Sequence, residues 1–182
     1  MKLEAVSFAY GDKTVFWNFS LELPDDGITA ISGASGCGKT TLLRLIAGLE
    51  MPQSGTISVP SRCAFLFQEN RLLPRRTAAE QVRLVLPRGE DPLPWLKAVG
   101  LEAEANTTVE ELSGGMQRRT ALARCLAYAR TQELLLLDEP FAGVDPARAS
   151  GIAAFLRTLR LPVVYTAHNR DILTLADRII SL

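Results

Sequence analysis

Hydrophobic and polar positions change their spacing several times along the chain, and each change marks an element. Lys2 to Phe8 partly alternates, as a half-buried strand does, and Tyr10-Gly11-Asp12 supplies turn residues before a second apolar segment, Thr14 to Leu23. Pro24-Asp25-Asp26-Gly27 makes another turn. Ile28 to Ser32 is a short β-prone run that stops at Gly33, and beyond Lys39 the stretch Thr40 to Ala47 is rich in helix formers until Gly48. Gly55 to Val59 and Cys63 to Phe67 are β-prone again, whereas Pro74, Pro87, Pro92 and Pro94 cut the next region into brief helical pieces. A small helical subdomain is expected over about residues 70–130.

From Ser113 the pattern turns regular. Met116 to Ala129 suits a helix, and Glu133 to Leu137 is a continuous apolar run ending in acids, as a strand buried on both faces reads. Asp145-Pro146 is a good cap and first-turn pair for a helix through Leu159, and Leu161 to Thr166 makes another strand ahead of His168. Ala176 to Leu182 closes the sheet. Helices alternating with buried strands indicate one α/β domain with a mostly parallel sheet.

Composition narrows the chemistry. Twenty Lys and Arg against twenty Asp and Glu leave formal charge zero, without the positive excess that holds phosphate backbones, so no nucleic-acid partner is expected. The pairs Arg75-Arg76 and Arg118-Arg119 read as solvated faces. Cys37, Cys63, Cys125 and the single His168 lack the spacing of a zinc site, and a reducing compartment is the default. The opening residues lack the apolar stretch of a secretion signal, and Leu134 to Leu137 is too short to span a bilayer.

Gly33-Ala34-Ser35-Gly36-Cys37-Gly38-Lys39-Thr40 matches a phosphate-binding loop, whose glycines let backbone amides converge on oxygens that side chains would block. Lys39 would neutralise the β- and γ-phosphates and Thr40 would offer its hydroxyl to Mg²⁺. The helix opening there, with Thr41 in its first turn, adds its positive end. A flexible glycine turn is the bland alternative, and the placement between strand and helix speaks against it. Leu134 to Leu137 then carries Asp138 and Glu139 out of the sheet. Asp138 would hold Mg²⁺, directly or through water, and Glu139 can face the attacking water as general base. Alone, a buried strand ending in two acids is common; the phosphate loop gives it weight.

Such a pair of motifs fits many nucleotide enzymes, and Leu112-Ser113-Gly114-Gly115-Met116-Gln117 separates them. On that segment and the order of its motifs, the chain resembles the ATP-binding subunits of ABC transporters, over nearly all of its length. The resemblance implies the P-loop NTPase fold of that family: a mostly parallel sheet, a small antiparallel part and a short helical subdomain. It implies ATP and Mg²⁺, hydrolysis, and a head-to-tail dimer in which ATP is clamped between one phosphate loop and the other copy's Ser113, Gly114, Gly115 and Gln117. Ser113 can supply a hydroxyl, and the helix that begins there makes a second anion-favouring pole; the plain alternative is an N-cap followed by a glycine turn.

Other positions match the family one by one. Gln68 looks like the glutamine that meets metal or water and touches the transmembrane partner, although an isolated glutamine is ordinarily just a surface residue. His168 looks like the switch histidine that contacts the γ-phosphate and positions Glu139; a lone histidine is more often structural. Tyr10 matches the aromatic that stacks on adenine, with a turn-flanking tyrosine as alternative. Ala142-Gly143-Val144-Asp145 occupies the place of the loop linking two active sites, and Asp145 can equally be only a helix cap. The stretches from Lys39 to Gln68 and from Gln68 to Ser113 are shorter than usual in the family, a departure that bears on docking to a membrane partner. Gln68-Glu69-Asn70-Arg71-Leu72-Leu73-Pro74, with Thr77 beyond, looks like the segment in importer ATPases of the nitrate, sulfonate and taurine type. The resemblance thus implies a separate integral membrane permease, a solute-binding protein where the direction is import, and a cytoplasmic place on the inner face of the membrane. An exporter ATPase, an ATP-gated module outside transport and a small-molecule phosphotransferase are the rival readings.

Overall fold

The structure is a computed structural model and describes residues 1–182. Its elements are β1 (Lys2–Tyr10), β2 (Lys13–Glu22), β3 (Ile28–Ser32), α1 (Lys39–Ile46), β4 (Ser54–Ser58), β5 (Cys63–Leu66), α2 (Ala78–Arg83) and α3 (Leu93–Ala98). A single 3-10 turn (Val109–Glu111) leads into α4 (Gly114–Ala129), β6 (Leu134–Leu137), α5 (Pro146–Thr158), β7 (Val163–Thr166), α6 (Arg170–Leu173) and β8 (Arg178–Ser181). Each run read from the sequence is present, its ends shifted by a residue or two.

Two sheets form. The larger is parallel throughout, in the order β5-β6-β7-β3-β8, and the smaller is antiparallel, in the order β2-β1-β4. The four leucines of β6 show why its run is continuous. Leu135 and Leu137 face a core built with α4 and α5, while Leu134 and Leu136 face a second core shared with α1, β1 and β2. All four are fully buried, at about 1.5–3 kcal/mol of transfer free energy each. Val163 and Tyr165 of β7 join the first core and Val164 the second, by the same two-residue period. No helix is long and apolar enough to cross a membrane.

The proline-cut region holds α2, α3 and the 3-10 turn. Helix α2 starts with a reciprocal cap, in which the Thr77 hydroxyl accepts from the Glu80 N–H and the Glu80 carboxylate accepts from the Thr77 N–H. These short helices rest on α4, and Val82, Leu96 and Leu101 pack into the same core as the sheet residues Leu135 and Leu137. Helix α4 is therefore covered on one side by strand β5 and on another by α2 and α3.

That double coverage corrects one expectation. Arg118 and Arg119, read as a solvated face, are only 5% and 8% exposed. The helical period places Arg118 on one stripe with Leu122, Cys125 and Ala129, all buried. Arg119 donates to the carbonyls of Val99 and Gly100, closing the end of α3. Arg75 and Arg76 do lie on the surface.

Candidate nucleotide site

The site begins where β3 ends. The segment from Gly33 to Gly38 turns the chain back into α1 through backbone angles that side chains resist, with φ of 155° at Gly33 and 107° at Gly38. Space forbids side chains there too: a Cβ on Gly33 would stand 2.6 Å from Cys37 Sγ, and one on Gly38 would stand 2.8 Å from Val15. Helix α1 opens without a side-chain cap, so its first-turn amides are left to the loop and whatever the loop holds. The Lys39 ammonium, 6% exposed, donates to the carbonyls of Gly33 and Ala34 at 2.9 Å each.

Parallel pairing sets the remaining groups level with that loop. Leu66 is opposite Leu137, Leu137 opposite Tyr165, and Ile31 opposite Thr166. The residues just past these positions emerge along one edge: Gln68 after β5, Asp138 and Glu139 after β6, His168 after β7, and the glycine loop after β3. A crevice outside the carboxyl ends of parallel strands is where open α/β sheets place their ligands.

Asp138 is buried and holds two hydroxyls. Thr40 donates to one carboxylate oxygen at 2.8 Å and Thr166 to the other at 2.7 Å. Thr166 also accepts from the Glu139 N–H at 2.9 Å, which fixes the backbone where Glu139 sits in the left-handed region at φ 51°. A glutamate there is strained by about 1–3 kcal/mol, and its partners hold it in place. Its Oε1 lies 2.7 Å from His168 Nε2. Tyr10, Ser35, Lys39, Gln68, Glu139 and His168 line one cavity of about 280 Å³, together with Thr40 and Thr41. Tyr10 stands at its rim, 42% exposed, edge-on to Phe8 and with its hydroxyl donating to Glu50.

Not every residue read as a binding residue reaches this cavity. Gly33, Ala34 and Cys37 do not line it, and Asp138, which does not line it either, is bonded to the lining residue Thr40. Ser113 is exposed and caps α4, its hydroxyl accepting from the Met116 N–H at 3.3 Å. Gly114 and Gly115 line a different cavity, which Gln68 and Glu139 also reach. The Gln117 amide donates to the Val109 and Leu112 carbonyls, bracing the turn before α4. Ala142, Gly143 and Val144 line a further cavity of about 310 Å³ with Glu139 and His168, and Asp145 caps α5 by accepting from the Arg148 N–H. That backbone hydrogen bond, first among its causes, holds the Asp145 carboxyl below its ordinary range.

Two residues that complete the site escaped the sequence reading. Thr166 looked like one more β-prone position, and its signal was a hydroxyl at the last place of a buried strand. Arg118 falls on the buried stripe of α4, but its charge reads in sequence as a solvated face. Its guanidinium is drawn below the ordinary arginine range by burial, while the charges of Asp138 and Glu139 act in the opposite sense.

A glycine loop between a parallel strand and a helix, with a buried lysine and an aspartate that takes the helix's first threonine hydroxyl, defines a phosphate-loop nucleotide-binding protein. The family follows from comparison with known proteins. The family model described as ABC transporter matches residues 16–142. The aliphatic sulfonates import ATP-binding protein SsuB of Granulibacter bethesdensis is 38% identical over 100% of this chain and 79% of its own. SsuB 2 of Frankia alni is 41% identical over 96% of this chain and 73% of its own. Among solved structures, the dimeric MJ0796 cassette superposes with a TM-score of 0.86 at 29% identity, covering 100% of this chain and 93% of that one. A post-hydrolysis state of the same cassette, bound to ADP and Pi, superposes at 0.83 with 28% identity, covering 100% of this chain and 93% of that one. The chain belongs to the ABC transporter family, as an ATP-binding, ATP-hydrolysing domain.

Proposed function

We propose that this chain is the ATPase subunit of an ABC importer, in which two copies close head-to-tail on two ATP and drive a separate membrane permease from the inner face of the membrane. The observation that carries the reading is the pairing of Glu139 with His168 at 2.7 Å in the cavity that also holds Lys39 and Thr40. A carboxylate held beside an imidazole, level with a phosphate loop, is suited to take a proton from an attacking water. Lys39 orients the β- and γ-phosphates, Tyr10 offers its ring to the base, and His168 keeps Glu139 aimed at the cavity. Gln68 reaches the same space from the next strand.

The donor set also fits Mg²⁺. Asp138 is one hard carboxylate beside the Thr40 hydroxyl, and no group of three or more His, Cys, Asp or Glu could hold a metal unaided. Magnesium is held in that manner in nucleotide sites, by one or two protein oxygens together with phosphate. Thr40, Asp138 and Gln68 would hold it, and when bound it supplies charge neutralisation at the β- and γ-phosphates.

Dimerisation follows from what one copy does not gather. Ser113 lies outside the cavity that Lys39 lines, and its helix presents an uncovered glycine corner. A second copy brings that corner to the γ-phosphate, so ATP itself supplies the missing contact surface. Import is supported by the segment from Gln68 to Pro74 and by the relatives, whose names describe import of aliphatic sulfonates; a solute-binding protein then delivers the solute.

The test is a size measurement with and without Mg·ATP. Glu139→Gln should bind ATP, lose hydrolysis and accumulate as a dimer, and Ser113→Arg in the same background should restore the monomer. Native hydrolysis by Glu139→Gln, or a dimer indifferent to Ser113→Arg, overturns the reading. Co-purification with an integral membrane protein favours transport, and association with ribosomes or DNA favours the module outside transport.

A further inference from the structure

Helix α4 carries a buried cation whose partners are almost all backbone. Arg118 Nη1 donates to the carbonyls of Phe67 at 2.5 Å and Gln68 at 3.1 Å, and to Asn70 Oδ1 at 3.3 Å. Its Nη2 donates to the Asp138 carbonyl, and Nη2 and Nε reach the Glu139 carbonyl at 3.2 and 3.3 Å. One planar fork thus holds the ends of two neighbouring strands, β5 and β6, from a helix that begins at the Ser113–Gly115 corner. No carboxylate forms an ion pair with it, although burying a guanidinium is costly.

The two segments it holds are those whose side chains enter the nucleotide cavity. Glu139 has a left-handed backbone, its N–H is fixed by Thr166 and its carboxylate by His168, and Arg118 is the third anchor, on its carbonyl. Arg124, six residues along α4, donates to the carbonyls of Asn70 and Arg71 and keeps the same segment against the helix. We propose that Arg118 is a positioning residue that sets Gln68 and Glu139 in register with each other and with the Ser113–Gly115 corner of the same chain. This rests on the reading of Glu139 as the base. Because the hold is exerted on carbonyls, its loss leaves the phosphate loop intact and displaces the groups that act on the water.

Hydrolysis and ATP binding separate the possibilities. Arg118→Met should lower kcat by about 10- to 100-fold, as a misplaced general base does, with the Kd for ATP within about twofold of wild type. Arg118→Lys, which keeps the charge but not the fork, should fall between. In Arg118→Ala, millimolar guanidinium should restore part of kcat while leaving Glu139→Gln inactive. Unchanged kcat in the arginine variants, with Glu139→Gln inactive, overturns the positioning role and spares the base. Hydrolysis by Glu139→Gln at the native rate overturns both. Equal loss of kcat and of ATP affinity, with no rescue, means a purely structural residue and also overturns the proposal. If Arg118→Met fails to fold, Arg118→Lys and Asn70→Ala read the same split.

Discussion

On the proposed reading, Lys39 holds the phosphates, while His168 acts through Glu139 on the attacking water. Lys39 is buried within the loop and bonded to the Gly33 and Ala34 carbonyls, so phosphate oxygens brought to the loop meet a cation already in place. Replacing it by alanine should weaken ATP binding by at least tenfold, equivalent to about 1.4 kcal/mol, read by fluorescent-nucleotide titration. His168 is 44% exposed; it lines the cavity, and its polar contact there is with Glu139 rather than with the phosphate loop. His168→Ala should therefore leave ATP affinity within about twofold and reduce kcat by about 10²-fold or more. Steady-state ATPase assays with saturating ATP check this, and a loss confined to affinity would sink it.

Single elements owe their placement to caps and edge bonds. The reciprocal cap of α2 supports a helix of only six residues, too short to persist alone. Thr77→Ala should destabilise the domain by about 1 kcal/mol, measured by urea unfolding. Strand β8 is pinned to β3 at Asp177, whose carboxylate accepts from the Ile28 N–H at 2.8 Å and pairs with Arg157 at 3.0 Å. The backbone hydrogen bond first, and Arg157 after it, lower the Asp177 pKa below its ordinary 3.8. A lowered carboxylate pKa stabilises the fold above the ordinary value and ceases to do so as pH falls through the lowered one. Asp177→Asn should therefore cost about 1 kcal/mol or less at pH 7, given the exposure of the pair, and the difference should be smaller at a pH well below 3.8. Equal differences at both pH values would refute the linkage.

At the scale of the whole molecule, one core joins the helical region to the parallel sheet, so damage on either side is shared. Leu122 lies in α4 with no exposure, and Leu122→Ala should cost about 2–5 kcal/mol. Nucleotide should oppose such losses: at ATP a hundredfold above its Kd, binding adds about 2.7 kcal/mol. Thermal melts should show this increment in wild type and lose it in Lys39→Ala.

Much of this architecture could be read before any coordinates, because its evidence is local. The glycine loop, the leucine run ending in acids and the serine-glycine corner each depend on residues adjacent in the chain, where backbone freedom, period and charge are set by the residue types themselves. The cap at Asp145 and the proline-cut helices were legible for the same reason. Proximity across strands was not. That Thr166 bonds to Asp138, that His168 meets Glu139 at 2.7 Å, and that Arg118 is buried against two strand ends depend on the parallel register. A charged residue on a helix looks alike in sequence whether water or four carbonyls lie beyond it; only packing decides, because the partners that make burial tolerable come from segments distant in the chain.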